Sequence, residues 1–279
     1  MKPKYIYAVN IVLQCLKMAV IVLIFLCFLW RWFSTNPEEW WSDLSYYYDF
    51  ISHFPAMYST ETYNFYGVIY LPYFAALFWP LTFFTEKVTF IIITAINLLC
   101  AYKICVDSKK ISLPFAVGTH ILLLIGAPLI GTCGNVETIL LLIHVWAYVK
   151  IKQMHTIPEW LAIILSIASF KIYSVLFFVL YAFEVPRKDL LKTVAILLVT
   201  QVCFNLPFVL ADPRLLHPSF IFEIITHPAP AMTEAPMWTL RTLFTVSVMG
   251  IALRIWEIIK KKRVSVPPLM SATSEVTSP

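Results

Sequence analysis

Apolar residues in this chain come in uninterrupted runs of about 15 to 23, the length at which an α-helix crosses a bilayer. Eight such runs can be marked, at roughly 5–33, 68–84, 88–105, 113–130, 136–149, 160–183, 190–210 and 238–259. Unpaired backbone polar groups are too costly in lipid, so membrane-spanning segments must be helices or a closed barrel. Continuous apolar runs exclude the alternating strands of a barrel. Composition agrees: 60% of the 279 residues are hydrophobic and 13% are charged, and the mean hydropathy is +0.78. A water-facing domain carries about 25% charged residues, so a soluble globular enzyme is ruled out. The expected fold is all-α, a polytopic transmembrane bundle of about 7–8 membrane helices with a long outer loop after the first span.

Charge placement sets the topology. If all eight runs crossed in turn from a cytoplasmic N-terminus, Lys109, Lys110, Lys150 and Lys152 would lie outside, against the positive-inside rule. The rule is met if 68–84, interrupted by Pro72 and Pro80, stays in the outer interface or re-enters, and if 160–183 is a bent pair of half-helices turning near Ser169–Lys171. Arg187, Lys188, Lys192, Lys260, Lys261, Lys262 and Arg263 then also fall inside. The outer segments 34–67 and 211–237 carry Glu38, Glu39, Asp43, Asp49, Glu61, Asp212, Glu223 and Glu234 against Arg214. Irregular backbone at membrane depth is tolerated where it lines a cavity, so the two broken segments are expected to border a site.

Residues 1–263 read as one transmembrane domain and 264–279, rich in Ser, Thr and Pro, as a disordered cytoplasmic tail. Lys2 and Lys4 precede the first run with no small-residue cleavage site, which reads as a retained span. The formal charge of +5 reflects cationic loop ends, and no nucleic-acid role is expected. The six cysteines show no CxxC spacing, and no metal-ligand cluster is apparent. No cofactor is expected, although acid pairs in the first outer loop leave a divalent ion open.

The most informative stretch is 34–80. It combines Asp43, Asp49 and His53 with many aromatics in a segment too polar at its start to be a span. Interface anchoring accounts for Trp40, Trp41 and most of the tyrosines. An acid set among aromatics at a bilayer surface is partly desolvated, which makes it a better base near neutral pH. Aromatic faces also suit the apolar faces of sugar rings. Inside the spans, Lys171 is a cation at membrane depth, a functional-site candidate by default, with snorkelling to an interface as the alternative. Glu137 at a helix start has capping as its alternative. His120 and His144 are expected to make helix–helix hydrogen bonds.

In their order these features resemble the GT-C class of polyprenyl-phosphate-sugar-dependent glycosyltransferases, and within it glycosyltransferase family 87, which includes membrane α-mannosyltransferases. The family's D-[LF]-x-x-Y pattern after the first span is similar to Asp43-Leu44-Ser45-Tyr46-Tyr47. Its Y-P-P-L-F…P-L stretch resembles Tyr70-Leu71-Pro72-Tyr73-Phe74 with Pro80-Leu81, where Leu71 stands for the first Pro. Its G-Q-x-N segment resembles Gly134-Asn135-Val136-Glu137, and its A-x-x-K turn resembles Ala168-Ser169-Phe170-Lys171. The likeness covers roughly residues 10–185.

The resemblance implies transfer of a sugar, a hexose such as mannose, from a polyprenyl-phosphate donor to an acceptor hydroxyl on a lipid or glycan, at the outer or luminal face. It makes Asp43 the general base with Asp49 in reserve, and Lys171 and Arg241 the cations for the donor phosphate. Tyr47, His53, Tyr70, Asn135 and Glu137 are the candidates for contact with sugar or acceptor. The partners implied are that donor, that acceptor and membrane lipids, in an integral multi-pass protein of the plasma membrane or endoplasmic reticulum. Two other classes fit the same residues: a lipid or small-solute transporter or flippase, whose broken helices look similar, and a non-catalytic subunit on a transferase scaffold.

Overall fold

The structure, a computed structural model, describes residues 3–34, 43–52, 73–213 and 242–264. The described residues are helical, with no β-strand among them. In chain order the α-helices are α1 (Pro3–Ser34), α2 (Asp43–Ser52), α3 (Phe74–Phe78), α4 (Glu86–Ile111), α5 (Leu113–Cys133), α6 (Glu137–Met154), α7 (Glu159–Ile167), α8 (Leu176–Ala182), α9 (Arg187–Ala211) and α10 (Thr242–Val264). Short 3-10 turns continue α3 (Trp79–Phe83) and fill the gap between α7 and α8. Five of these helices, α1, α4, α5, α9 and α10, are long and apolar enough to cross a membrane.

The remaining apolar runs are shorter. Residues 68–84, expected not to cross, include among their described residues only α3 and its 3-10 extension. The run 160–183 is broken: α7 ends at Ile167, Lys171 is extended at φ −95°, ψ 117°, and α8 starts at Leu176. The break therefore falls at the Ser169–Lys171 turn expected from the charge pattern. The helix α6 is 18 residues long and carries Glu137 in its first turn and Lys152 in its last.

Between helices in lipid the hydrophobic effect offers little, so close backbone approach and interhelical hydrogen bonds decide the packing. The helix α5 sits at the centre and uses glycines to admit its neighbours. A Cβ on Gly131 would lie 2.5 Å from the Ile24 carbonyl oxygen of α1, and one on Gly126 would lie 2.4 Å from Thr242 Oγ1 of α10. Among the described side chains of α1, Leu13, Val20 and Ile24 are fully buried, one stripe at helical spacing, while Trp30 and Phe33 face outward. Pairing of α4 with both α5 and α6 buries Phe90, Ile93, Asn97, Ala101 and Ile104 on one face.

The turns follow local chemistry. Ser112 joins α4 to α5, and its hydroxyl accepts from the Phe115 amide at 3.3 Å, with Pro114 in the first turn of α5. The α5 helix ends on Gly134 at φ +63°, a left-handed cap that suits glycine.

Cationic helix ends gather at one end of the bundle. Lys152 Nζ donates to the Ile111 carbonyl at 2.8 Å, so the lysine-bearing ends of α4 and α6 meet. Thr156 reaches Asp189, and Lys192 pairs with Glu159, so the starts of α7 and α9 join them. Arg254 of α10 holds Glu184 at 3.1 Å, and Tyr148 donates to the same carboxylate at 2.8 Å.

The histidines divide. His144 meets the Tyr181 hydroxyl at 2.7 Å, a contact between α6 and α8 of the kind expected. His120 instead bonds its own helix, 2.6 Å from the Ala116 carbonyl.

Candidate functional site

The turn between α5 and α6 and the break between α7 and α8 come together at Lys171. Its ammonium lies 3.1 Å from Asn135 Oδ1 and 3.5 Å from Glu137 Oε1, and the residue is 1% exposed. Asn135 Oδ1 also accepts from the Glu137 amide at 2.9 Å, so this side chain caps α6 while facing the lysine. The Glu137 carboxylate is held by the positive end of α6 and by Lys171 together. Deeper in the bundle Asn97 of α4 donates to the Asn135 carbonyl at 2.8 Å, and Thr138 donates to Asn97 Oδ1. Thus α4, α6 and the break share one buried polar cluster.

An apolar cleft of about 460 Å³ lies beside this cluster. Phe74, Leu77 and Phe78 of α3 form one wall, Ile139 and Leu140 of α6 another, and Val136 and Phe170 line it as the chain neighbours of Asn135 and Lys171. Its size is within the range of small-molecule sites, about 300–1,000 Å³.

The helix α2 brings part of the segment that follows α1 to the same place. Its Leu44 is fully buried, with Cβ 3.5 Å from where a Cβ on Gly134 would stand. The Tyr48 hydroxyl lies 2.8 Å from both the Leu81 and Phe84 carbonyls, sharing its one proton between them, and ties α2 to the turn before α4. Asp43 is the first residue of α2, next to Leu44, and Asp49 the seventh. The Tyr47 ring is buried edge-on against Phe74 and Phe78, with centroids 5.0 and 4.7 Å away. Of the nine residues singled out from the sequence, Asn135, Glu137 and Lys171 are in mutual contact, Tyr47 packs on the wall of the cleft, and Asp43 and Asp49 are placed on α2. His53, Tyr70 and Arg241 lie outside the described residues.

Four contributors were not read from the sequence: Asn97, Thr138, Tyr73 and Gln201. Asn97 and Gln201 each interrupt an otherwise apolar run, which is a usable signal, since a buried amide in a span needs a partner. Tyr73 donates to the Ile167 carbonyl at 2.9 Å and Gln201 to the Ser166 carbonyl at 2.6 Å. Among the described residues no group of three or more His, Cys, Asp or Glu side chains is arranged to hold a metal ion.

The arrangement offers a buried cation held by an amide and a carboxylate, the latter at a helix N-terminus, with an apolar trough alongside, at an α-helical break within a membrane protein. Compared with known proteins, the chain matches no family model, no curated protein and no solved structure.

Proposed function

We propose that this chain is a membrane glycosyltransferase that moves a hexose, such as mannose, from a polyprenyl-phosphate donor to an acceptor hydroxyl at the outer or luminal face. The observation that carries the reading is the junction of the apolar cleft with the buried Lys171 cluster. A polyprenyl-phosphate sugar has those two parts, a hydrocarbon chain and an anionic head, in that order. The resemblance of residues 43–47, 134–137 and 168–171 to family 87 motifs supports it, because α2, the α5–α6 turn and the break lie together.

In this reading the prenyl chain lies along Phe74, Leu77 and Phe78, and Lys171 turns from Asn135 to the donor phosphate. The acceptor oxygen attacks the anomeric carbon, the bond from that carbon to the phosphate oxygen breaks, and Asp43 takes the acceptor proton. Lys171 compensates the charge left on the lipid phosphate, the kind of interaction that is usually the largest catalytic contribution. Arg241 is a second cation for that phosphate. Glu137 keeps Lys171 directed between turnovers.

The test is turnover by purified protein in lipid nanodiscs, with a panel of radiolabelled polyprenyl-phosphate sugars and lipid or glycan acceptors. Label transfer that is abolished by Lys171→Ala supports the reading. Donor crossing the bilayer without label transfer would replace it with a flippase, and neither activity across the panel would leave a non-catalytic scaffold.

A further inference from the structure

A helix that stops inside a bundle leaves carbonyl oxygens without their usual donors, and each must be met in another way. At the end of α7 the chain supplies them one by one. Ser169 Oγ donates back to the Leu165 carbonyl at 2.7 Å. The Ser166 carbonyl, which in a continuous helix would take the Phe170 amide, accepts from Gln201 Nε2 at 2.6 Å. The Ile167 carbonyl, whose helical donor would be the Lys171 amide, is 2.9 Å from Tyr73 Oη, which also lies 3.2 Å from the Ser166 carbonyl. Gln201 also donates to Tyr73 Oη at 3.3 Å, and Asn205 fixes Gln201 in turn, with Nδ2 3.2 Å from its Oε1. Two donors from separate elements, the residue before α3 and the middle of α9, thus stand where the amides of Phe170 and Lys171 would be.

We infer that Tyr73 and Gln201 are positioning residues. By occupying the Ser166 and Ile167 carbonyls they keep α7 from running on through Lys171, and so hold the Lys171 ammonium at Asn135 and Glu137. No Gly or Pro lies between Glu159 and Val185, and the local contribution to the break is Ser169, at φ −92°, ψ 22°, whose hydroxyl takes the Leu165 carbonyl. The two side chains add the restraint from outside the stretch. Tyr73 also adjoins Phe74, which lines the cleft, so the residue that fixes the break borders the wall that would meet a bound chain. The inference rests on the reading of Lys171 as the phosphate-binding cation.

The experiment compares wild type, Tyr73→Phe and Gln201→Leu as full chains in phosphatidylcholine nanodiscs. Tyr73→Phe removes one oxygen and keeps the ring that stacks on Phe204 with centroids 5.7 Å apart. Amide hydrogen exchange is expected to change about tenfold at residues 168–171 in both variants, the scale of one lost hydrogen bond, with α4 and α5 unchanged. Affinity for undecaprenyl phosphate is expected to fall about tenfold as well, and that for undecaprenol not at all. Unchanged exchange at 168–171, or a rise spread evenly over α4 to α6, overturns the inference, as does equal loss of affinity for the alcohol and the phosphate. If wild type itself does not distinguish undecaprenyl phosphate from undecaprenol, the proposed function falls, and the exchange pattern still decides whether these side chains hold the break.

Discussion

Lys171 Nζ lies 3.1 Å from Asn135 Oδ1, although the two residues are 36 positions apart in the chain. One belongs to an interrupted helix and the other to the turn that starts α6, so each places the other. Because Glu137 shares the ammonium at 3.5 Å, buried Lys171 and Glu137 and half-buried Asn135 form one unit whose members do not act independently.

Removing one partner of such a unit leaves an uncompensated charge. Lys171→Met is expected to destabilise the fold by about 3–5 kcal/mol, and adding Glu137→Gln to recover much of that loss. Denaturant titration in detergent measures both. A single-variant effect below about 1 kcal/mol would mean that Glu137 finds another counter-charge.

Asp43 offers a sharper chemical test. Asp43→Asn is expected to lower label transfer about 100-fold or more, the usual contribution of a general base, while retention of detergent-solubilised protein on gel filtration stays unchanged. Full activity in the variant would remove Asp43 from the mechanism.

The α1–α5 contact depends on a missing side chain. Gly131→Val would bring carbon to within 2.5 Å of the Ile24 carbonyl oxygen and 2.8 Å of Cys27 Cβ. Backbone cannot yield as a flexible side chain does, so a loss of about 1–3 kcal/mol is expected. The same denaturant titration reads it.

Arg254 links α10 to the end of α8 through Glu184, which Tyr148 also holds. Arg254→Met is expected to cost about 1–3 kcal/mol, less than a fully buried pair because the arginine is one-fifth exposed. Arg254→Met with Glu184→Gln is expected to restore most of the stability, measured by the melting temperature in detergent.

Topology can be read by labelling. With native cysteines replaced, a cysteine at Lys109 and one at Lys150 are both expected to react with a membrane-impermeant thiol reagent only from the cytoplasmic face, since the lysine-bearing ends of α4 and α6 meet. Reaction from the outer face would invert the proposed orientation.

How much of this was legible beforehand depended on charge. Lys171 stood out because a cation in an apolar run has few neutral explanations, and the turn around it was inferred from the positions of the surrounding lysines. Asn135 and Glu137 were readable from motif likeness, but their contact with Lys171 was not, since nothing in a linear sequence ranks partners 36 positions away. Tyr73 was hidden among aromatics that an interface explains equally well. Gln201 was visible as an amide in a span, yet its target, a carbonyl freed by a distant break, exists only once the break does. His120 shows the opposite error: a helix–helix partner was expected, and the imidazole turned to its own backbone instead.

The helix α9 packs mainly along α7, and the most apolar part of it buries no residue within the protein. Yet it supplies Gln201. A displacement of this helix along α7 would withdraw a donor from the Ser166 carbonyl while leaving the contacts of α5 with α1 and α4 in place. If α9 faces lipid, as its unburied apolar length suits, bilayer thickness and lateral pressure would reach the proposed Lys171 site from the side, through Gln201.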